Sequence, residues 1–313
     1  MNRTSILVPD TEWGRGADWA GLPVDLRYYD LDDPDPAGDN RSAILIDLKG
    51  PASASGRLIG RLPALRVLQT LTAGVEHWDG HLPDGVMLVN CSGAHGGATA
   101  EIAIAGLLAL YRRLPEIFVN NAARNWTLLP GETVNGQTAV VIGAGDVGHC
   151  LATRLQALGA RVDVAARTAR DGVIALADAV AGLAAYDIVA LATPLTEATR
   201  GLVDAAFLAR MKDRAVLVNI GRGPIVATDA LVGEVQPGRL RAVLDVTDPE
   251  PLPPGHPLWS VPGVIITPHV GGAVHSAFAN AMRVAIGQIA AVMAGETPSN
   301  HIRGPKTMLE PKV

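Results

Sequence analysis

The sequence predicts an α/β protein with two parallel sheets, one in a larger doubly wound domain and one in a smaller domain. Three observations predict it. Short apolar, β-branched runs alternate with helix-spaced stretches along nearly the whole chain. Most of these runs lack the in-out alternation of half-buried strands, as expected of a sheet covered on both faces. A glycine-rich turn, Gly143-Ala144-Gly145-Asp146-Val147-Gly148, lies between the strand-like run 138–142 and the helical stretch 149–158. At 313 residues, 48% of them apolar, the chain is long enough for two domains and two cores.

In the first ninety residues the predicted strands are 5–8, 25–29, 43–48, 66–71 and 86–89, joined by polar or helical connections. The acidic segment 30–40 reads as a solvated loop. Thr72-Ala73-Gly74-Val75 closes the fourth strand with main-chain N–H groups that can face an anion. A long helix starts at Thr99, the expected cap, with Glu101 in its first turn, and runs to about Arg113. An irregular connection, 124–134, leads to the glycine turn. Beyond it the strands 161–166, 187–192, 215–219, 242–246 and 264–267 continue the doubly wound pattern. Helical spacing returns at 276–293, and the tail after it can pack back on the first domain.

Charge and cysteine usage exclude several partners. The net charge of −5 is mild and the basic residues are scattered, so neither nucleic acid nor a membrane surface is indicated. The longest uninterrupted apolar run, 102–111, is too short to span a bilayer. No export signal precedes the first strand, and Cys91 and Cys150 are therefore expected to be reduced in a cytoplasmic protein.

The order strand, glycine turn, helix is that of a dinucleotide-binding unit. The first glycine permits the tight turn, the second lets the backbone approach a pyrophosphate, and the third lets the helix pack closely. The helix N-terminus then faces the phosphates. The second strand, 161–166, discriminates between cofactors. An NAD site usually carries a carboxylate at its end, but here Ala166 is followed by Arg167-Thr168-Ala169-Arg170. Arg167, Thr168 and Arg170 suit a 2′-phosphate, so NADP(H) is expected to be preferred, with NAD(H) possible. Asp163 would be a ribose ligand only if the strand ended early.

Ligands of open α/β sheets bind outside the carboxyl ends of the strands. There, strand 215–219 is followed by Ile220-Gly221-Arg222-Gly223, strand 242–246 by Asp248-Pro249-Glu250-Pro251, and strand 264–267 by Pro268-His269. An arginine can hold a carboxylate and polarise a neighbouring carbonyl. A histidine, with its intrinsic pKa of roughly 6.5, can donate a proton to the carbonyl oxygen as hydride arrives. A glutamate beside it would orient the imidazole and favour its charged form. Arg222, Glu250 and His269 are thus the candidate catalytic set for reducing a 2-oxo acid. No metal is required.

The segments Met211-Lys212, Leu217-Val218-Asn219-Ile220-Gly221-Arg222-Gly223, Leu244-Asp245-Val246, Glu250-Pro251-Leu252 and Thr267-Pro268-His269 with Gly271-Gly272 resemble the signature blocks of the D-isomer-specific 2-hydroxyacid dehydrogenases. The resemblance implies that Arg222 anchors substrate, that Glu250 partners the acid, and that His269 is the acid/base. It further implies that Asp245 meets the nicotinamide carboxamide and that Thr99 approaches the nicotinamide side. Thr193 and Pro194, with Thr199 and Ile220, would border the cofactor. Ala73, Gly74 and Val75 would donate to the substrate carboxylate. The family implies a discontinuous substrate domain, 1–97 with 286–313, around a dinucleotide-binding domain, 98–285, and a homodimer. Ala166 resembles the NADPH-linked glyoxylate and hydroxypyruvate reductases. Glu250, not glutamine, argues against the formate dehydrogenase branch, and Glu76 replaces the aspartate common after the carboxylate loop.

Lys49, after the third strand, and His95, in the glycine-rich loop before Thr99, are candidate substrate-pocket residues. The expected activity is reversible NAD(P)H-dependent reduction of a small 2-oxo acid to the D-2-hydroxy acid, glyoxylate or hydroxypyruvate first. The alternatives are a phosphite-type or phosphonate-related dehydrogenase and, in another class, a nucleotide-sensing corepressor.

Overall fold

The computed structural model describes residues 3–19, 21–32, 41–48, 50 and 52–308. The chain divides into two compact units, Met1–His95 with His275–Val313, and Gly96–Val274. The expected loop at 30–40 lies largely outside the described residues.

In the first unit, β1 (Thr4–Pro9), β2 (Val24–Tyr29), β3 (Ser42–Asp47), β4 (Val67–Thr70) and β5 (Met87–Val89) form a parallel sheet in the order β5-β4-β3-β1-β2. A short strand, His301–Arg303, adds antiparallel to β5. The inner strands β1, β3 and β4 are apolar because both of their faces are covered, and Ile6, Ile44, Leu45, Val67 and Leu68 are fully buried. The edge strand β2 departs from the expectation of continuous burial. Its Asp25 and Arg27 are exposed between partly buried neighbours, the alternation of a strand covered on one face. The helix Ala277–Met293 turns Ala281, Met282, Ala285, Ile289 and Val292 into the core that holds Ile6, Ile44 and Val67. The whole helix therefore belongs to this unit, which resumes at His275 and not at the expected 286.

The second unit contains β6 (Thr138–Ile142), β7 (Arg161–Ala166), β8 (Ile174–Ala175), β9 (Ile188–Leu191), β10 (Val216–Asn219), β11 (Arg241–Leu244) and β12 (Val264–Ile266). All are parallel, in the order β12-β11-β10-β9-β6-β7-β8. Strand order reverses between β6 and β9, and ligands of such sheets bind outside the carboxyl ends at that switch point. Apolar clusters cover both faces, one around Leu217, Leu244 and Phe207, the other around Val141, Val218 and Val243.

The long helix here runs Gly96–Tyr111. It starts before Thr99, which lies in its first turn and does not cap it. The cap comes from fifty residues away, where Asp146 Oδ2 accepts from the Gly96 amide at 2.9 Å. A Cβ on Gly96 would stand 2.1 Å from that oxygen, so a side chain there would push the capping carboxylate aside. A further helix, Leu114–Ala122, was not expected. It buries no residue, and Phe118 and Val119 are exposed.

Candidate active site

The loop after β4 presents main chain to an anion. All five of its carbonyls are occupied. His95 donates to Leu71 O (2.8 Å), Thr70 Oγ1 and the Cys91 amide to Thr72 O (both 2.9 Å), Asn90 Nδ2 to Ala73 O (2.7 Å), Thr72 Oγ1 to Gly74 O (2.8 Å), and the Trp78 amide to Val75 O (2.9 Å). The amides of Thr72, Ala73, Gly74 and Val75, by contrast, donate to no acceptor among the described residues. A run of free N–H groups with every carbonyl tied back is an anion-binding concavity. The turn that follows is fixed by Trp78 Nε1, which donates to the buried Asp47 carboxylate at 3.0 Å.

The glycine turn after β6 meets the steric demands of a dinucleotide site. Gly143 has φ 124°, and a Cβ there would meet Ala192 O at 2.4 Å, beside the switch point. A Cβ on Gly148 would meet Gly143 O at 1.8 Å, so the helix packs hard on the turn. Gly145 is the opposite case, since a Cβ on it meets nothing within 4 Å. The open side therefore lies at the glycine expected to admit a pyrophosphate. Gly145 is also the N-cap of helix Asp146–Ala157 without a side-chain cap bond, which leaves first-turn amides for phosphate oxygens.

Strand β7 extends to Ala166, so Asp163 is mid-strand, and its carboxylate is held by Tyr186 Oη at 2.7 Å. Arg167, Thr168 and Arg170 are exposed beyond the strand end, and Arg170 Nη2 donates to Ala144 O of the glycine turn at 3.2 Å.

At the carboxyl ends of β10, β11 and β12 the loops are stitched together by side chains. Asn219, 1% exposed, accepts from the Gly221 amide (3.1 Å) and donates to Arg222 O (3.0 Å), fixing the backbone on both sides of the arginine. A Cβ on Gly223 would meet Thr247 O at 1.8 Å, which shows how closely the loop of Arg222 approaches the loop leading to Glu250. Asp245, 3% exposed, accepts from Thr267 Oγ1 (2.6 Å), the Val270 amide (2.9 Å) and the Gly271 amide (2.9 Å). Its own carbonyl accepts from the His269 amide at 2.8 Å. These bonds bracket His269, whose φ is 54°. His269 Nδ1 lies 2.6 Å from Glu250 Oε1. A carboxylate only accepts, so Nδ1 carries the proton and Nε2 is the atom left for chemistry.

Several side chains expected at the cofactor are committed elsewhere. The Asp146 carboxylate caps Gly96, which leaves the residue's main chain for a phosphate. Thr199 Oγ1 closes its own loop, donating to Pro194 O at 2.8 Å and accepting from the Thr196 amide at 2.7 Å. Ile220 is 6% exposed and packs in the core. Val147 packs against the same core. Thr193 stands between the turns after β6 and β10, for a Cβ on Gly143 or on Gly221 would meet its main chain within 3 Å. Thr99 and Asp245 are neighbours, since a Cβ on Gly271 would meet both within 3.0 Å. Lys49 lies outside the described residues. Asn219 and Asn90, which sequence reasoning did not single out, carry side-chain bonds that hold the two loops.

Among the described residues no helix is long and apolar enough to cross a membrane, and no cluster of His, Cys, Asp and Glu could hold a metal ion.

Known proteins resemble this chain over most of its length. A glyoxylate reductase/hydroxypyruvate reductase of Mus musculus is 31% identical over 93% of this chain and 94% of its own. A D-isomer specific 2-hydroxyacid dehydrogenase family protein from Aeromonas salmonicida superposes with a TM-score of 0.82 at 29% identity, covering 97% of this chain and 99% of its own. An NADPH-dependent glyoxylate/hydroxypyruvate reductase of Sinorhizobium meliloti, solved with NADP and sulfate, gives 0.80 at 26% identity over 96% and 98%. These relatives lend no support to the phosphite or corepressor alternatives. The family model for the NAD binding domain of the D-isomer specific 2-hydroxyacid dehydrogenases matches residues 104–271, more than half of the chain. The chain belongs to that family, whose members are NAD(P)-dependent oxidoreductases acting between 2-oxo and 2-hydroxy acids.

Proposed function

We propose that the protein is an NADPH-preferring reductase of glyoxylate or hydroxypyruvate, yielding the D-hydroxy acid, with Arg222, Glu250 and His269 as its catalytic set. The observation that carries the proposal is the 2.6 Å bond between Glu250 and His269 at the carboxyl edge of the second unit's sheet. When bound, the nicotinamide supplies the hydride that reaches the 2-oxo carbon. His269 delivers a proton from Nε2 to the carbonyl oxygen. Glu250 stabilises the imidazolium that precedes this transfer and holds the ring in one tautomer. Arg222 pairs with the substrate carboxylate and polarises the adjacent carbonyl. The amides of Ala73, Gly74 and Val75 offer main-chain donors for a carboxylate. The reverse reaction uses the same groups, with His269 as base.

The cofactor preference rests on the strand end at Ala166. No carboxylate stands there to meet a ribose 2′-hydroxyl, while the exposed Arg167 and Arg170 offer forked, permanently charged donors to a 2′-phosphate. The NADP found with the Sinorhizobium meliloti reductase and the NADPH found with a Xanthobacter autotrophicus dehydrogenase support the same preference. A cytoplasmic homodimer completes the proposal. Phe118, Val119, Trp126 and Leu128 expose 63%, 69%, 102% and 88% of their surface, all within one stretch of the second unit, and such a patch calls for a partner surface.

The test is NADPH and NADH oxidation by purified protein against glyoxylate, hydroxypyruvate, pyruvate and a dianionic 2-oxo acid. Faster turnover with NADPH on the first two is the expected result. Tight nucleotide binding without turnover of any of them would overturn the proposal.

A further inference from the structure

We propose that Asp146 is a positioning residue for the nicotinamide end of the cofactor site. By capping the helix Gly96–Tyr111 it holds Thr99 against the corner formed by Asp245 and Gly271. The inference deepens the proposed function and rests on the reading of Thr99 and Asp245 as neighbours of the nicotinamide.

Asp146 stands where a carboxylate is unexpected. It is the first residue of helix Asp146–Ala157, directly after Gly145, at the turn whose open side suits a pyrophosphate. A negative charge at that point repels phosphate oxygens. A first-turn carboxylate ordinarily serves its own helix. This one is bonded to another: Oδ2 accepts from the Gly96 amide at 2.9 Å, while Oδ1 faces the Cys150 thiol at 3.8 Å.

The first turn of the helix Gly96–Tyr111 depends on that bond. The helix opens with Gly96-Gly97, the poorest helix formers after proline, and its leading amides have no partners within the helix. A second link, from Arg154 Nη2 to Glu101 Oε1 at 3.4 Å, is exposed and contributes little. Farther along, a Cβ on Gly106 would meet Val243 Cγ1 at 2.4 Å, so the middle of the helix lies hard against β11. With its middle fixed, the part of the helix that can shift is the first turn, and Thr99 lies in it. A Cβ on Gly271 would stand 3.0 Å from Thr99 Cγ2, 3.3 Å from its Oγ1 and 2.9 Å from Asp245 Oδ2. The Thr267 hydroxyl is spent on Asp245, whereas the Thr99 hydroxyl has no hydrogen-bond partner among the described residues. Loss of the cap therefore moves a free hydroxyl at the corner that brackets His269.

The test separates the cap from the charge. Asparagine caps a helix as well as aspartate and is neutral, so Asp146→Asn keeps a partner for the Gly96 amide and removes the repulsion, while Asp146→Ala removes both. Dissociation constants are measured for NADP and for 2′-phospho-ADP-ribose, which carries a hydroxyl in place of the nicotinamide. Both variants should bind the fragment about two- to tenfold more tightly than the wild type does. The preference for NADP over the fragment should fall about fivefold in Asp146→Ala and persist in Asp146→Asn. With NADPH and a 2-oxo acid, kcat should be about fivefold lower in Asp146→Ala than in Asp146→Asn, with KM for the acid alike in the two. Both variants are assayed below their melting temperatures, so unfolding does not enter the comparison. Equal preferences in the two variants would leave Asp146 only its charge and overturn the inference, as would a wild-type preference in Asp146→Ala. A wild type that binds NADP no better than the fragment would remove the nicotinamide reading and the inference with it. Absence of turnover in a wild type that shows the preference would count against the reductase reading alone.

Discussion

The loop after β4 and the loop after β12 each end a parallel strand and each present polar groups beyond it, yet they are built from opposite parts of the chain. In the first, the working surface is main chain, and the side chains that matter, Asn90, Thr70 and His95, lie outside it and hold its carbonyls. In the second, the working surface is a side chain, His269, while its main chain is gripped by Asp245. An anion can be bound by amides that every residue except proline possesses. A proton can be moved only by a group that titrates. The first loop should therefore tolerate substitution at its own positions and fail when its supports change, whereas the second should fail at its own central residue.

The largest effect is expected at His269. His269→Ala should lower kcat by about 10²–10⁴, the usual weight of a general acid, with the NADPH dissociation constant from fluorescence titration unchanged within about twofold. Substantial activity in that variant would erase the contrast. Asp245→Asn comes next. An amide nitrogen replacing one carboxylate oxygen would oppose either the Gly271 amide or the pair Thr267 and Val270, leaving a buried donor worth about 1–3 kcal/mol unpaired. A 10–100-fold loss in kcat is expected, at a lowered melting temperature.

The first loop should respond in KM. Asn90→Ala removes the donor to Ala73 O, a net change of about 1 kcal/mol, and should raise KM for the 2-oxo acid about fivefold with kcat nearly unchanged. Ala73→Ser, at an exposed position within the loop, should alter neither constant by more than about twofold. A strong effect of Ala73→Ser beside a weak one of Asn90→Ala would reverse the proposed division of labour. The smallest effect concerns thiols. Burial pushes the Cys91 thiol up to about 12, and its amide is one of the bonds holding Thr72 O. Below that pH Cys91 stays a neutral thiol, so iodoacetamide near pH 8 should label the half-buried Cys150 first and leave KM for the acid unaltered. Labelling of native Cys91 would mean that this support opens readily.

Much of the fold is legible because buried parallel strands leave continuous apolar runs. β6 and β7 coincide with the predicted runs, and the remaining predicted strands differ by a residue or two at their ends. β8 is too short to leave a pattern, and the alternation of β2 is a property of sheet edges, which a single run does not reveal. The start of helix Gly96–Tyr111 escaped because its cap is a carboxylate fifty residues away, while local chemistry pointed to Thr99. At the site, spacing located the strand ends and hence Arg222, Glu250 and His269. It carried no information on side-chain direction. Asp146, Thr199 and Ile220 sit where a cofactor residue would sit in sequence, and their side chains turn to a helix cap, a loop closure and the core. Conversely, Asn90 and Asn219 act through bonds to carbonyls and amides, which no spacing rule reports.

The division of the chain also bears on how the protein is made. The second unit is one uninterrupted stretch, Gly96–Val274, and even its leading helix is capped from within. The first unit is split around it, and Ala281, Met282, Ala285, Ile289 and Val292 of its core lie after the split. As the chain leaves the ribosome, the segment up to His95 emerges before the helix that completes its core, while the stretch behind it can close on itself. The second unit is thus expected to mature before the first. The segment ahead of it waits for helix Ala277–Met293 to be synthesised, a long interval in which its unfinished apolar surface would invite chaperones.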